Sequence, residues 1–554
     1  MSARETAPAG GGATRWAAWL ALALVLALWA PLFLCQPLWQ DVTQYDVTAQ
    51  ELLRGSVLYR DVTDTNFPGV VLIHAAVRYV AGFRSEALRA FDLVVVGAIA
   101  CLLVRLATIG KPKLSPLRVF GVAVVLAYYF SCAPICHCQR DPWMLLPASI
   151  AVSLTAVRIG APLRGGRGLA LAIAEGLLWG AAVWIKPHVV VPAVSCWVAA
   201  TAYAWRMPKQ GIATTALQTC VMVAGGAIIG AAGLGWLYAA DGWNDFWDIM
   251  LHWSGEYRAI ATWSRRLGTT LTWFIFHAPW SLLHFVAVPV ACAKIARVLR
   301  APTETDRPAS DPAALLLCAL YLGWLVQALL LQLTHEYVVA ATLLLAVPVL
   351  LTWDKIAVPA PAMRIGFAVF VAWALAVHPL LKPQTLRLWP TCATHGSSPA
   401  VKDLFATGQA RHANGTAHWQ DLQRVADFLR QRHVGDFEVT CWDDSSQQIF
   451  TLLRASPGTR YMHMGHWMNF FPSRRQQLID EVRASPTRYV VSDCQAAGYS
   501  AEIARVDANR DTPALPDEID PRQRGAFPWN QPVIFRAGRY LVHEIKPSID
   551  KAQP

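Results

Sequence analysis

Trp39-Gln-Asp-Val-Thr-Gln-Tyr-Asp-Val-Thr-Ala-Gln-Glu-Leu-Leu-Arg-Gly-Ser-Val-Leu-Tyr-Arg-Asp61, running on to Asn66-Phe-Pro-Gly69, follows directly on the first long apolar run of this chain. It holds the acids Asp41, Asp46, Glu51 and Asp61, the arginines Arg54 and Arg60, and the tyrosines Tyr45 and Tyr59. A segment this polar cannot enter hydrocarbon, because a charge taken out of water without a partner is very costly. It therefore sets carboxylates, guanidinium groups and phenols at a membrane surface, where chemistry on a lipid-borne substrate would occur.

The rest of the chain is written for a membrane. Apolar residues are 55% of the 554 and charged residues only 15%, and the apolar ones come in blocks of the length a helix needs to cross hydrocarbon, about 20 residues. Each block must be helical, since backbone amides in lipid are satisfied only within the helix and the runs are too uniform for alternating barrel strands. Spans are expected near 16–36, 91–109, 117–135, 142–159, 168–185, 188–205, 214–238, 273–297, 312–332, 337–352 and 364–381.

Pro68–Phe83 is also apolar, but it is short and carries His74 and Arg78 at helical spacing. If it lies in the interface, Lys111, Lys113, Arg118, Arg158, Arg164, Arg167, Arg206, Lys209, Lys294, Arg297, Arg300, Lys355 and Arg364 all fall on one side. That is the cytoplasmic excess of Lys and Arg found in bacterial membrane proteins. The reading is thus a polytopic α-helical membrane protein of about eleven spans in the inner membrane, with the N-terminus inside. Residues 1–15 form a cytoplasmic tail, 16–382 the transmembrane catalytic domain with its first outer loop at 37–90, and the helix after the tail reads as a retained anchor. The formal charge of +11 needs no nucleic acid, because much of it lies in loops facing anionic headgroups of the bilayer.

After Leu381 the composition changes. Residues 383–554 read as an extracytoplasmic soluble α/β domain: a helix near 419–433, a strand at Phe437–Trp442, helices near 445–454 and 473–484, a strand at Arg488–Asp493, and a terminal pair around Val533–Arg536 and Arg539–Ile545. Cys441 and Cys494 both close expected strands, and an oxidising compartment would permit a bridge between them. Cys136-His-Cys138 has the look of half a metal site, yet no matching Cys or His pair follows at ligand spacing, so no metal is assigned.

In the first loop, Asp41 is followed fourteen residues later by Gly55, then by Leu58-Tyr-Arg-Asp61 and the Phe67-Pro-Gly69 turn. This resembles the first extracytoplasmic loop of the C-type membrane glycosyltransferases, the superfamily of protein O-mannosyltransferases and aminoarabinose transferases. Gln139-Arg140-Asp141 resembles the Gln-Arg-Glu of their second outer loop, and Gly176-Leu-Leu-Trp-Gly180 leading to Ile185-Lys-Pro-His188 resembles their glycine-spaced helix ending in Lys-Pro-His. His335-Glu-Tyr337 looks like their His-Tyr entry to a late helix, and Thr459-Arg-Tyr461 resembles a sugar-transferase tail motif.

The resemblance implies inverting transfer of a hexose or pentose from a polyprenyl-phosphate donor to an unidentified protein, lipid or glycan acceptor. It implies Asp41 and Asp141 as catalytic residues, and Tyr45, Tyr59, Arg60, Asp61, Gln139, Arg140, Lys186, His188, His335 and Tyr337 as substrate-binding ones. Val42 stands where many relatives carry a second acid and Asp141 replaces their Glu, so a two-carboxylate cation site is incomplete and no cofactor is assigned.

The residues read alone agree on place. The expected topology puts Asp41, Arg60, Asp61, Arg140, Asp141, Lys186, His188 and His335 at outer ends of spans. A carboxylate such as Asp41 can take the proton of an attacking hydroxyl, while Arg60, Arg140 and Lys186 can receive the departing phosphate. A plainer reading makes Asp41 a helix cap and Arg140 and Lys186 anchors that snorkel to headgroups. Asp46 and Asp64 read as structural, and Glu175, an acid within a span, reads as one half of a buried pair. Gly226 and Gly230 read as close helix packing, the 240–270 stretch as an amphipathic interfacial segment, and the Asn414-Gly-Thr416 sequon as incidental. A transporter of lipid-linked sugars is the alternative function, and only Glu175 speaks for it.

Overall fold

The computed structural model describes residues 11–110, 115–160, 166–206, 211–260, 262–301, 310–331, 335–353, 360–407, 417–462, 464–494, 513–516 and 519–545. Lys111, Lys113, Arg164, Lys209, Lys355 and the sequon at Asn414 lie outside them.

In chain order the helices are α1 (Gly11–Cys35), α2 (Gln40–Leu53), α3 (Gly69–Ala81), α4 (Ser85–Ala107), α5 (Ser115–Ser131), α6 (Arg140–Gly160), α7 (Gly166–Ile185), α8 (Val190–Trp205) and α9 (Ile212–Ala239). They continue with α10 (Trp243–Trp247), α11 (Ser254–Ile260), α12 (Trp263–Phe276), α13 (Leu283–Arg300), α14 (Ser310–Leu330), α15 (Glu336–Leu351) and α16 (Ala360–Val377). Each expected span except 273–297 falls mainly on one of these helices. Among the described residues, eight helices are long and apolar enough to cross a membrane. Pro116–Ser131, Glu336–Leu351 and Arg364–Val377, expected as spans, are apolar but shorter, as is Gly69–Ala81, expected to lie in the interface.

One expected span starts in the wrong place. The run 273–297 is broken, with α12 ending at Phe276 and α13 starting at Leu283. Pro279 is the cause, because it has no N–H to give the helix and bars the α conformation from Ala278 before it.

Two compact units divide the chain: residues 1–33, 89–232 and 263–393 form the first, and 34–88, 233–262 and 394–554 the second. In the first, α14 packs against α6, α8, α13 and α15, and α15 also meets α5 and α6. The close crossing of α7 and α9 is set by glycine. A Cβ on Gly176 would stand 1.9 Å from the Met222 carbonyl oxygen, and one on Gly180 would stand 2.9 Å from that of Gly226. Gly226 thus packs as expected, whereas a Cβ at Gly230 would meet open space. Glu175 is paired: its carboxylate accepts from Arg158 at 2.8 Å, and Arg158 also reaches Gln218 at 2.7 Å.

The second unit holds a four-stranded sheet in the order β1-β2-β4-β3, with β1 (Val439–Cys441), β2 (Tyr489–Asp493), β3 (Val533–Ala537) and β4 (Tyr540–Glu544). β1 runs parallel to β2, while β2 and β3 are antiparallel to β4. These are the strands their β-branched and aromatic residues predict, with a buried apolar stripe at Leu422, Val425 and Leu429 on the helix Trp419–Gln431 packed against β3 and β4.

The bridge between Cys441 and Cys494 does not form, and both thiols are unbridged and buried. Cys441 is paired in register with Val491, three residues before Cys494. That offset along a strand is about 10 Å, beyond the reach of a disulfide. The 240–270 stretch is not simply an interfacial one, since Trp253 is fully buried among Tyr461, Trp467 and Phe471 in the aromatic core of this unit.

Candidate functional site

The polar site of the first unit grows from one helix end. α7 cannot run through Lys186, because Pro187 follows it, and Lys186 takes an extended backbone before the tight turn Pro187–Val189. Its Nζ lies 2.8 Å from each carboxylate oxygen of Asp141, in the first turn of α6. Both side chains are buried. A helix N-terminus favours an anion, so α6 stabilises Asp141 while Asp141 holds the ammonium. Burial pushes the Lys186 ammonium down from its ordinary 10.5 to about 8, Arg140 adds to this, and Asp141 opposes it.

Around this pair stand the other residues the sequence singled out. The Lys186 ammonium lies 5.7 Å from the ring centre of Tyr337, which stacks on His335 at 5.3 Å. His188 and His335 both feel the charges of Lys186, Asp141 and Arg140. Gln139 is fully buried, and neither atom of its amide has a hydrogen-bond partner among the described residues. A buried amide with no partner is costly, so Gln139 marks a place that a polar ligand or water would complete. The structure thus gathers Gln139, Arg140, Asp141, Lys186, His188, His335 and Tyr337.

The second unit holds the rest. Asp41 lies in the first turn of α2 and is partly exposed; the N-cap residue is Trp39, so Asp41 is not the cap. Tyr45 and Tyr59 are buried. Tyr59 donates its hydroxyl to the Asn66 carbonyl at 2.6 Å, and Tyr45 meets the His74 ring edge-on at 5.5 Å. Burial, then the charge of Asp64, pushes the Tyr59 phenol well up. Arg60 is exposed and forks onto Asp61 at 2.8 Å and Asp241 at 3.0 Å. Asp46 is structural, as read: it accepts from the His74 ring at 2.7 Å and from Arg78 Nε at 2.9 Å and also Nη2.

Sequence reasoning missed Asp92 in α4, which accepts from Tyr129 and from Trp143 Nε1, each at 2.7 Å. Its signal was a lone acid near the start of an apolar run. It also missed a set of donors in the first unit, Cys136, His277 and Glu336, whose ligand atoms lie within 4.8 Å of one another.

The fold is similar to that of ArnT, and helices among the described residues are long and apolar enough to cross a membrane several times. ArnT from Cupriavidus metallidurans bound to undecaprenyl phosphate is similar over 98% of this chain and 100% of its own, at 14% identity and a TM-score of 0.56. The same protein in the apo state matches over 96% of this chain and 98% of its own, at 12% identity and a TM-score of 0.51. The archaeal oligosaccharyltransferase AglB from Archaeoglobus fulgidus is looser, at 11% identity over 88% of this chain and 69% of its own, with a TM-score of 0.47. No family model and no curated protein matches the sequence.

Proposed function

We propose that this protein is a glycosyltransferase that moves a sugar from a polyprenyl-phosphate donor to an acceptor hydroxyl on the extracytoplasmic face of the inner membrane. One observation carries it: a buried lysine, paired to a carboxylate and flanked by an arginine, at the end of a span in a C-type fold. Lys186 has three N–H donors, and two serve Asp141, so a third can be given to a phosphate oxygen. Arg140 adds a second cation beside it. An apolar cleft of about 420 Å³ between α7, α8 and α9 supports the same reading, for it is lined by Trp184 and Val190 on either side of the Lys186 turn and by Trp179 and Trp197 beyond. A polyprenyl chain in that cleft would bring its phosphate to Lys186.

On this reading Asp41 takes the proton from the acceptor hydroxyl as that oxygen attacks the anomeric carbon, and the bond to phosphate breaks with inversion. The lipid phosphate leaves as an anion held by Lys186 and Arg140, and needs no proton. The transporter reading loses its footing, since Glu175 is held by Arg158.

The test is incubation of the full chain, purified in detergent, with labelled polyprenyl-phosphate sugars and an envelope extract. Label appearing on an acceptor, with stoichiometric release of polyprenyl phosphate, is expected. Movement of intact donor across a vesicle bilayer with no release of polyprenyl phosphate would replace this reading with transport.

A further inference from the structure

Three breaks in the transmembrane unit bring their side chains to one point. Cys136 closes the tight turn Pro134–Cys136 between α5 and α6, His277 follows the last residue of α12, and Glu336 opens α15. One ligand atom from each lies within 4.8 Å of the others. The Cys132 thiol, four residues before Cys136, is within hydrogen-bonding reach of both the Cys136 thiol and the His277 ring. All four residues are buried, and the rings of Tyr128 and Trp280 wall the place, with Tyr128 6.1 Å from the His277 ring and 5.3 Å from that of Trp280.

The Cys136 thiol is within hydrogen-bonding reach of the Glu336 carboxylate as well as of Cys132, and His277 Nε2 stands 3.9 Å from Glu336 Oε1, so the four side chains converge on one place. Two thiols, an imidazole and a carboxylate collected in an apolar interior are expensive unless something binds them together. A hydrogen-bonding explanation is at hand for the neighbouring His137 instead: its Nε2 lies 3.0 Å from the Tyr129 carbonyl and its Nδ1 3.2 Å from Arg89. The pair to read in the sequence was therefore Cys132 and Cys136, with the spacing of zinc ligands, and not Cys136 with Cys138.

We propose that Cys132, Cys136, His277 and Glu336 bind one divalent metal ion of the zinc class. The donor set decides the class. Thiolate and imidazole suit zinc, whereas magnesium and calcium demand six or more oxygens. Cys136, His277 and Glu336 supply three ligands, and the Cys132 thiol, drawn in from beside Cys136 and His277, would complete a tetrahedron, which makes the ion structural. Binding replaces the two thiol protons, which pass to solvent, and involves no oxidant. The ion ties the first turn of α15, where His335 and Tyr337 flank Glu336, to the loop that ends in Gln139, Arg140 and Asp141. It would thereby fix the spacing of the two sides of the Lys186 site.

The test reads metal, so it stands apart from the transferase reading. Full-length protein in detergent, passed through a chelator-treated column, should carry about one zinc per chain by elemental analysis. Cys136→Ser and His277→Ala should lose most of it, and Cys101→Ser, at an exposed cysteine outside the cluster, should not. Stripped protein reloaded with cobalt should show the intense visible absorption of a tetrahedral thiolate site. In the wild type, Cys132 and Cys136 should resist alkylation until a chelator is added, a readout that holds even if the variants fail to fold. Wild-type protein that takes up neither zinc nor cobalt, or whose Cys132 and Cys136 are joined in a disulfide, overturns the proposal.

Discussion

Lys186 Nζ lies 2.8 Å from both carboxylate oxygens of Asp141, and the two residues come from helix ends 45 positions apart. A buried pair like this is held together more by the cost of breaking it than by its own net worth. Lys186→Met strands the Asp141 carboxylate and should lower stability in detergent by about 3–5 kcal/mol. The double change Lys186→Met with Asp141→Leu removes both charges and should recover most of that stability. It should not recover sugar transfer. Thermal unfolding read beside transfer separates the two effects, and a double variant that transfers normally would reduce the pair to packing.

The same lysine predicts a pH limit. With its ammonium depressed to about 8, Lys186 is charged at neutral pH and loses its proton as the pH rises through that value. Donor kcat/KM should be level below about pH 7 and fall about tenfold per unit well above the pKa. Lys186→Arg keeps its charge and should remove the fall wherever it keeps activity. Asp141→Asn should move the fall to lower pH, because the carboxylate that favours the charged amine is gone. A profile identical in all three proteins would place the titration elsewhere.

How far the sequence could be read follows from what each feature depends on. The eight long spans among the described residues were legible because crossing hydrocarbon needs only length and apolarity, and β2 was legible because Tyr489-Val-Val is a run of strand-formers. The start of α13 was misplaced because hydropathy does not register what Pro279 does to the backbone. Glu175 could be read as paired, since an acid in a span must be, but its partner Arg158 had been counted among the loop charges. The contact between Asp141 and Lys186 depends on how α6 and α7 pack, which no local pattern encodes. The cysteine cluster was hidden for the same reason: His277 and Glu336 are far from Cys136 in the chain and beside it only in the fold.

The glycine crossing should be intolerant of bulk. A Cβ at Gly176 would fall 1.9 Å from a backbone oxygen of α9, an atom that cannot swing aside. Gly176→Ala should therefore force the helices apart and cost about 1–3 kcal/mol. Gly230→Ala, where a Cβ meets open space, should be neutral or slightly stabilising. Equal effects at the two positions in a detergent melting assay would show that α7 and α9 do not cross as described.

Asp46 should behave as part of the scaffold. Burial would raise its carboxyl, but Arg78 and His74 hold it below the ordinary carboxylate range. A depressed acid lends stability above its unfolded pKa and loses it as the pH falls through the folded one, so this contribution should vanish only below about pH 4. Asp46→Asn leaves Arg78 buried without its charge partner and should cost about 3–5 kcal/mol. The transfer rate of whatever protein remains folded should change little, and a selective loss of kcat at unchanged stability would move Asp46 into the chemistry.

Asp41 is the residue on which the proposed mechanism turns. It sits in the first turn of α2, where the helix N-terminus favours a negative charge. Asp41→Asn keeps the shape and the first-turn oxygen while removing the basicity. If Asp41 is the general base, kcat should fall by about 10²–10⁴-fold with the donor KM and the melting temperature nearly unchanged. Asp61 offers the contrast: its oxygens are committed to Arg60 and to the backbone N–H of Val57, at 2.8 Å in each case, so Asp61→Asn should disturb the loop and raise KM more than it lowers kcat. Should Asp41→Asn transfer at the wild-type rate while Asp61→Asn abolishes turnover, the base is Asp61 and Asp41 serves only the start of its helix.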